Sequence, residues 1–326
     1  RSGWKLHTKI LNKNKNYKIY AASDINKTKL LEYSKKNKCK FYLNYKELID
    51  DPKINLVIIS TPTNKHYEIA EYAIKKNKNL ILEKPFTSSK SNINKLYKLS
   101  KKHKKKLFFF LNFRFVEEYI KILKIINSKL IGRVFLIKKN VSYFNRRDDW
   151  QSKISKNGGI INATAIHHLD QIIQMQNSKI KNIWKDYRKI VSKGNAPDHL
   201  KLIIKFSTNL IADLEISWAK ESHGPIWEIY GTRGSIIQKG ANIKIRWFEE
   251  NSIKTTKRNN FSYMSNEKIH WNVRKFKIKS KYSSGENSKI YDLIFKSINN
   301  NEDVPITIQS VMETLDLIQN IEKKNN

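Results

Sequence analysis

The sequence has a single cysteine, Cys39, and no long apolar segment. One cysteine cannot build a disulfide framework, and it excludes zinc and iron–sulfur sites that need several thiolates. Apolar runs such as those at 56–59 and 107–111 are far shorter than the roughly 20 residues of a membrane span. The first residues, Arg1-Ser2-Gly3-Trp4, do not resemble a signal peptide. We therefore expect a protein of a reducing, cytoplasmic compartment without a membrane partner.

Acidic residues are scarce, because 29 Asp and Glu stand against 64 Lys and Arg and leave a formal net charge of +35. Such a charge is typical of nucleic-acid or anionic-membrane binding. Most of the cations are lysines scattered among many Asn and Ile, the composition that an AT-rich coding sequence produces. The densest cluster, residues 101–106, falls in a predicted loop, and no zinc-finger spacing, RNA-binding signature or arginine-rich arm accompanies it. A solvated lysine-rich surface is favoured over a selected polyanion site, so no specific nucleic acid is expected.

The 326 residues are sufficient for two soluble globular domains, with 39% hydrophobic residues and a mean hydropathy of −0.62. Up to about residue 112, strand and helix patterns alternate, which predicts an α/β domain with a parallel, doubly wound sheet. From about Gly132 the strands follow one another without helices, which predicts a large, mostly antiparallel sheet. The later strands are predicted at 134–143, 199–206, 210–218, 227–230, 235–238 and 244–247, and helices at 163–176, 287–299 and 308–323.

The start of the chain contains part of a dinucleotide-binding turn. Small residues at such a turn let the backbone approach a pyrophosphate. Here Arg1-Ser2-Gly3 precedes an amphipathic helix at 4–11, while the first strand and the earlier glycines are absent, so we expect the sequence to be truncated. Asp24 follows the next strand, where a carboxylate accepts hydrogen bonds from ribose hydroxyls and repels a 2′-phosphate. Asp24 thus favours NAD, with NADP as an open alternative, although an Asp at a strand end is often a turn or cap residue.

Two polar segments follow successive strands: Ser60-Thr61-Pro62-Thr63-Asn64-Lys65-His66 and Glu83-Lys84-Pro85. Both lie where ligands bind in open α/β sheets. With these segments the sequence resembles the Gfo/Idh/MocA family of nicotinamide-dependent oxidoreductases, which includes glucose-fructose oxidoreductase and inositol dehydrogenase. The resemblance continues through residues 112–115, 149–151, 158–159, 167–170 and 228–235, and so covers nearly the whole chain.

The resemblance implies an incomplete Rossmann domain at 1–113 and an α/β domain for substrate and oligomer contacts at 114–326, with the last helix packing back on the first domain. It implies an NAD(P)-dependent oxidoreductase that acts on a secondary alcohol or ketone of a sugar, nucleotide-sugar or polyol. The alternative is a catalytically weak or inactive NAD(P)-binding member with a ligand-binding or regulatory role. A homo-oligomer, a dimer or a tetramer, is expected.

Two residues are the candidate catalytic groups. The resemblance places Lys84 beside the nicotinamide, where its ammonium would stabilise charge on the substrate oxygen. His167 matches the family's histidine, and an imidazole suits removal of the hydroxyl proton. Asp170 lies one turn further on and is expected to orient the ring or satisfy a buried group. The family commonly has Asp or Asn where this chain has Ala163, so Asn162 would take that role only if the chain enters the helix irregularly.

The remaining candidates are assigned by their segments. We expect cofactor contacts from the first turn and the strand ends, namely Ser2, Gly3, Asp24, Ser60, Thr61, Pro62, Asn64, His66, Glu83, Lys84 and Asn112. We expect substrate contacts from Arg114, Arg147, Asp149, Trp150, Asn162 and Asp170, because charged, amide and aromatic groups together recognise polyols. An ordinary solvated loop is the alternative for residues 143–150. No metal is expected.

Overall fold

A computed structural model of the protein describes residues 3–87, 89–176, 178–222, 224–255, 267–278 and 288–323. The chain divides into two compact units. The first consists of Arg1–Phe115, Lys153–Asp170 and Ser284–Asn326, and the second of Val116–Ser152 and Gln171–Ser283. Each unit therefore contains segments that are far apart in the sequence.

The N-terminal segment of the first unit alternates helices and parallel strands. The strands form two sheets, one of two strands and one of three, and every pairing is parallel. Its elements are a π-helical turn Gly3–His7, α1 Thr8–Leu11, β1 Ala21–Ser23, α2 Lys27–Asn37, β2 Lys40–Tyr42, α3 Tyr45–Asp50, β3 Leu56–Ile59, α4 Thr63–Lys75, β4 Asn79–Leu82, α5 Lys90–Lys102, β5 Leu107–Phe109 and a 3₁₀ turn Asn112–Phe115.

Apolar side chains explain why these elements form where they do. Strand β4 is a run of apolar residues with Leu80, Ile81 and Leu82 fully buried, as expected for a parallel strand covered on both faces. Helix α4 buries Ala70 and Ile74, which are four positions apart and share one face. Because β3 and β4 are parallel neighbours, their carboxyl ends lie at the same edge of the sheet. The polar segments after both strands are therefore brought to one edge.

The second unit is built on an eight-stranded sheet with the strand order β15-β12-β11-β10-β6-β9-β8-β7. One neighbouring pair, β6 with β9, is parallel and the others are antiparallel. Its elements are α6 Glu117–Asn127, β6 Val134–Ser142, β7 Ile180–Arg188, β8 His199–Phe206, β9 Ile211–Ser217, β10 Trp227–Gly231, β11 Gly234–Lys239, β12 Asn242–Trp247, β13 Lys254–Thr255, β14 Glu267–Lys268, β15 Asn272–Lys277 and 3₁₀ turns Trp150–Ser152 and Glu250–Ser252.

The predicted fold class, parallel strands with helices followed by a large, mostly antiparallel sheet, is confirmed. One helix and four strands were not predicted: α6, β7, β13, β14 and β15. Alternation is clear in β8, where Leu200, Leu202 and Ile204 are buried and their neighbours are more exposed. Strand β7 has a weaker pattern, because it lies at the edge of the sheet and none of its residues is fully buried.

Three further α-helices and a 3₁₀ turn, Ile154–Lys156, complete the described chain. A π-helical turn, Ile161–Ala165, leads into α7 Ile166–Gln174, and α8 Lys289–Asn300 and α9 Ile308–Glu322 follow near the end. The first unit contains α8, α9 and the start of α7. Among the described helices, none has the length and apolar character needed to cross a bilayer.

Candidate functional site

The polar segments at the carboxyl ends of β3 and β4 are linked by His66. This buried residue on α4 is 1% exposed, and its Nδ1 and Nε2 lie 3.0 Å from the carbonyl oxygen of Phe86 and 2.8 Å from that of Thr61. Burial lowers the pKa of His66, which favours the neutral ring, although the two carbonyls act in the opposite direction. A neutral ring has one N–H, so it donates to one of these carbonyls while the other nitrogen lies against the second. His66 is thus packed between the segment after β3 and the segment after β4.

The other residues predicted to contact a cofactor at this edge differ in exposure. Thr61, Pro62 and Asn64 are exposed, and Ser60 is half-buried. Asn112 is buried in the 3₁₀ turn after β5. Thus the loop after β3 presents polar groups to solvent.

Gly3 lies close to the loop after β3. A Cβ atom at Gly3 would lie 2.9 Å from Ser60 Oγ, so no larger residue fits between the first helical turn and the β3 loop without a shift. Asp24 is half-buried directly after β1, and one of its carboxylate oxygens accepts a hydrogen bond from Asn26 N at 2.8 Å. The Asp24 carboxylate can therefore serve both as a turn group and as a ribose acceptor. Ser2, also predicted to contact the cofactor, lies outside the described residues.

Lys84 lies between Glu83 and a cis peptide bond to Pro85. Its Nζ donates hydrogen bonds to the backbone carbonyls of Asn162 at 3.2 Å and Ala163 at 2.7 Å. Those carbonyls belong to the π-helical turn, where hydrogen bonds span one residue more than in an α-helix. The irregular entry to α7 thus provides two acceptors that hold the Lys84 side chain.

The same irregular entry decides where Asn162 and Ala163 point. The Asn162 amide donates to the carbonyl of Asn157 at 3.2 Å, and Ala163 contributes its backbone oxygen to Lys84. The polar atoms that the structure places at this turn are therefore mainly backbone carbonyls. The chain therefore enters α7 irregularly, which is the condition under which Asn162 was predicted to take the role that the resemblance gives to Asp or Asn, and that role stays a prediction.

His167 is buried on the first turn of α7, and its ring is stacked on Phe113 with the ring centres 4.2 Å apart and the planes at 12°. Among the described residues, Nδ1 of His167 has no hydrogen-bond partner. Burial, and then the positive charge of Lys84, hold the pKa of His167 well below its ordinary value of 6.5. His167 is therefore a neutral imidazole near the Lys84 ammonium, the state that a general base requires.

Arg114 and Asp170 form a buried ion pair. Arg114 Nε donates to Asp170 Oδ2 at 2.8 Å and Nη2 donates to Oδ1 at 2.6 Å, while Thr314 Oγ1 also donates to Oδ1 at 3.0 Å. Burial raises the pKa of Asp170, and the charge and hydrogen bonds of Arg114 act against that rise. The guanidinium also donates to the carbonyl of Pro305 and the hydroxyl of Ser310. The sequence predicts that both residues contact substrate and that Asp170 orients His167 or satisfies a buried group. The structure pairs the two charges with each other at α7, and the substrate contacts stay a prediction.

The remaining predicted substrate residues belong to the second unit. Arg147 pairs with the carboxylate of Asp149, and its guanidinium carbon lies 4.9 Å from the ring centre of Trp218. Trp150 is 48% exposed in a 3₁₀ turn. This segment thus combines an ordered Arg–Asp pair with an exposed indole. Among the described residues, no set of three His, Cys, Asp or Glu side chains is arranged to hold a metal ion.

Comparison with known proteins gives a direct family assignment. Residues 1–111 match the family described as an oxidoreductase family with an NAD-binding Rossmann fold, and residues 119–237 match the Gfo/Idh/MocA C-terminal domain. The chain belongs to the Gfo/Idh/MocA oxidoreductase family. The resemblance seen in the sequence is confirmed, and so is the prediction of a nicotinamide dinucleotide as cofactor.

Relatives of this Gfo/Idh/MocA chain include two curated bacterial proteins. An uncharacterised oxidoreductase of Escherichia coli (strain K12), YhhX, is 25% identical over 194 residues, which are 60% of this chain and 55% of YhhX. The myo-inositol 2-dehydrogenase of Thermotoga maritima is 25% identical over 228 residues, 67% of each chain. The match thus spans from just over half to two thirds of these relatives.

A solved structure supports the same fold. An NAD-binding protein from Listeria innocua superposes with a TM-score of 0.80 at 20% identity, covering 97% of this chain and 92% of that one. At 20% identity, this structural similarity shows the fold alone.

Two residues that the sequence analysis did not single out are central to the Lys84 segment. His7 lies on the first helical turn and contacts Glu83, and Tyr291 lies on α8 and contacts His7. His7 follows Gly3 by four positions, so helical spacing alone places it one turn further along. No signal in the sequence connects it with Tyr291, which is 284 positions away.

Proposed function

We propose that this chain is an NAD-dependent oxidoreductase acting on a secondary alcohol or ketone of a sugar, nucleotide-sugar or polyol. The single observation that carries the proposal is the combination of Lys84, whose Nζ is held by two carbonyls, with a buried His167 whose pKa is depressed by burial and by the Lys84 charge. A donor for the substrate oxygen and a neutral proton acceptor are the two protein groups that this chemistry needs.

Each residue has a distinct part in the reaction. In the oxidising direction, the neutral imidazole of His167 takes the hydroxyl proton. Lys84 donates a hydrogen bond to the same oxygen and stabilises the negative charge that develops there. The chemistry that a bound nicotinamide would supply is acceptance of the hydride. In the reducing direction, His167 returns the proton.

The residues proposed to hold the cofactor fit its parts. The lack of a side chain at Gly3 would let the backbone of the first helical turn approach a pyrophosphate, and the half-buried Asp24 carboxylate would accept the ribose hydroxyls. Thr61, Pro62 and Asn64 would line the same edge. Glu83 and His66 act indirectly in this proposal, because their side chains bond to protein groups.

The substrate class rests on two supports. One is the mixed charged and aromatic segment with Arg147, Asp149 and Trp150, and the other is that a relative carries the name myo-inositol 2-dehydrogenase. We also propose a cofactor domain at 1–113, a substrate domain at 114–326 and assembly into a homo-oligomer.

The proposal is tested by NADH formation at 340 nm with myo-inositol and a set of related polyols and sugars, using Lys84→Ala as the matched negative control. The proposal expects turnover on at least one of these substrates that depends on Lys84. The second candidate, an inactive NAD-binding member, is favoured by Ala163 at the position that usually carries Asp or Asn. NAD binding by calorimetry, together with no turnover on any of these compounds, would support that candidate.

Asp24 should determine cofactor preference. Because its carboxylate would repel a 2′-phosphate, the wild-type chain should bind NAD(H) more tightly than NADP(H), by about 10-fold for about 1.4 kcal/mol of repulsion. Asp24→Asn should reduce the preference for NAD(H) over NADP(H), mainly by improving the affinity for NADP(H). The shorter variant Asp24→Ala should also lower the affinity for NAD(H). Dissociation constants from quenching of protein fluorescence provide the measurement. Equal affinities of the wild type for both cofactors would refute the role of Asp24.

A further inference from the structure

A buried chain of side chains leads from α8 to the backbone of Lys84. The Tyr291 hydroxyl contacts Nδ1 of His7, and Nε2 of His7 lies 2.8 Å from Glu83 Oε1. Glu83 Oε2 accepts a hydrogen bond from Lys84 N at 3.0 Å. His7 is 2% exposed, Glu83 5% and Tyr291 0%, so water does not compete for these groups. Phe110 packs on the His7 ring with the ring centres 4.6 Å apart.

The partners fix the direction of the two hydrogen bonds at the Glu83 carboxylate. A carboxylate that accepts from Lys84 N at one oxygen accepts at the other oxygen from the Nε2–H of His7. A neutral imidazole with its hydrogen on Nε2 presents a lone pair at Nδ1, and the Tyr291 hydroxyl donates to it. With a neutral ring the order of donation is Tyr291 to His7 to Glu83, whereas a ring with both hydrogens would donate from Nδ1 to the Tyr291 hydroxyl. In both forms the Nε2–H of His7 donates to Glu83.

We propose that His7, held by Tyr291, is a positioning residue that orients Glu83 and thereby fixes the backbone of Lys84. This proposal deepens the proposed function and rests on it for its catalytic consequence. The hydrogen bonds that connect His7 with Lys84 run through the Glu83 side chain. The effect of His7 passes through Glu83 Oε2 to the Lys84 amide, the point from which the side chain extends to the π-helical turn.

The position of the Lys84 backbone therefore depends on Tyr291 of α8, a helix near the end of the sequence. Without the Nε2–H donor, Glu83 keeps a buried carboxylate oxygen with no partner, which is costly, and the side chain should rotate away. The Lys84 amide then loses its acceptor. Small displacements of a reacting group lower the rate strongly, by up to about 100-fold for 1 Å.

Four variants separate positioning from packing. His7→Gln places an amide N–H where Nε2 lies and can still donate to Glu83. His7→Asn is too short to reach Glu83, although it retains an acceptor near Tyr291. Tyr291→Phe removes the hydroxyl alone. Tyr17→Phe is the control, because the Tyr17 hydroxyl donates to the Tyr291 backbone carbonyl at 2.7 Å and lies outside the chain of donors.

The measurement is hydrogen exchange of the Lys84 amide, with the Leu80 amide of β4 as an internal reference for global stability. We expect His7→Asn and Tyr291→Phe to speed exchange at Lys84 by about 10-fold relative to Leu80, and His7→Gln and Tyr17→Phe to leave it near the wild-type rate. Equal acceleration at Leu80, or His7→Gln behaving like His7→Asn, would show a packing role and overturn the proposal. Wild-type exchange in His7→Asn and Tyr291→Phe would overturn it as well.

The catalytic consequence is tested separately on the same proteins. His7→Asn should lower kcat by about 10-fold while the dissociation constant of NAD changes less than about twofold, and His7→Gln should restore most of kcat. If kcat falls in proportion to a weaker affinity for NAD, His7 acts in cofactor binding, which would contradict the positioning role. If the wild-type chain turns over no substrate, the proposed function fails, and the exchange experiment still decides whether His7 holds the Lys84 backbone.

Discussion

Lys84→Ala and His167→Ala should each lower kcat by about 100-fold or more, the scale of a lost acid–base or charge-stabilising group. The affinity for NAD should change little, because neither side chain is assigned to the pyrophosphate or the ribose. The double variant should lose less than the sum of the two barriers, since groups that act together on one oxygen are not additive. Steady-state kinetics of NADH formation supply kcat and KM for each variant.

The control for this comparison is an exposed lysine with an ordinary helical ion pair. Lys75→Ala removes a side chain that is 55% exposed and pairs with Glu71 one turn earlier on α4. Its kcat should equal that of the wild type. Unchanged turnover after His167→Ala would remove His167 from the mechanism and leave proton transfer to Lys84 or to water.

The largest loss of stability should come from breaking the buried ion pair between Arg114 and Asp170. Their side chains are 7% and 1% exposed. Asp170→Ala leaves a buried guanidinium without its counter-charge, so the free energy of unfolding should fall by about 3–5 kcal/mol. Urea denaturation followed by circular dichroism measures this change.

Two comparisons show whether the charge itself causes the loss. The double variant Arg114→Met with Asp170→Leu removes both charges and should be more stable than Asp170→Ala, because no unpaired charge stays buried. Lys65→Ala breaks the exposed Lys65–Glu68 pair, whose side chains are 56% and 51% exposed, and should cost less than about 1 kcal/mol. A loss from Asp170→Ala as small as that from Lys65→Ala would contradict a structural role for the pair.

The sequence was sufficient to predict the elements whose signal is local. Strand β4 and helix α4 follow directly from an apolar run and from apolar residues four positions apart. Helix α7 was predicted to begin at 163, whereas residues 161–165 form a π-helical turn. That irregularity accompanies a contact with Lys84, nearly 80 positions away, which periodicity cannot reveal.

The candidate site could also be predicted from the sequence only in part. Lys84 and His167 could be proposed from their motifs, but the neutral state of His167 depends on burial and on a nearby charge, which only the fold supplies. Arg114 and Asp170 both lie in segments of the family resemblance, which suggested ligand contacts. In the structure Arg114 Nη2 lies 2.6 Å from Asp170 Oδ1, so the two charges neutralise each other.

The central claim is that the Lys84 ammonium and a neutral His167 share one site, and the titration of His167 tests it most directly. Nuclear magnetic resonance should follow the His167 ring in the wild type and in Lys84→Met, which removes the charge and keeps most of the stem. We expect a wild-type midpoint well below 6.5, because of burial and the Lys84 charge. In Lys84→Met the midpoint should rise and remain below 6.5, since the burial persists. A wild-type midpoint near 6.5, or no change in Lys84→Met, would contradict the account.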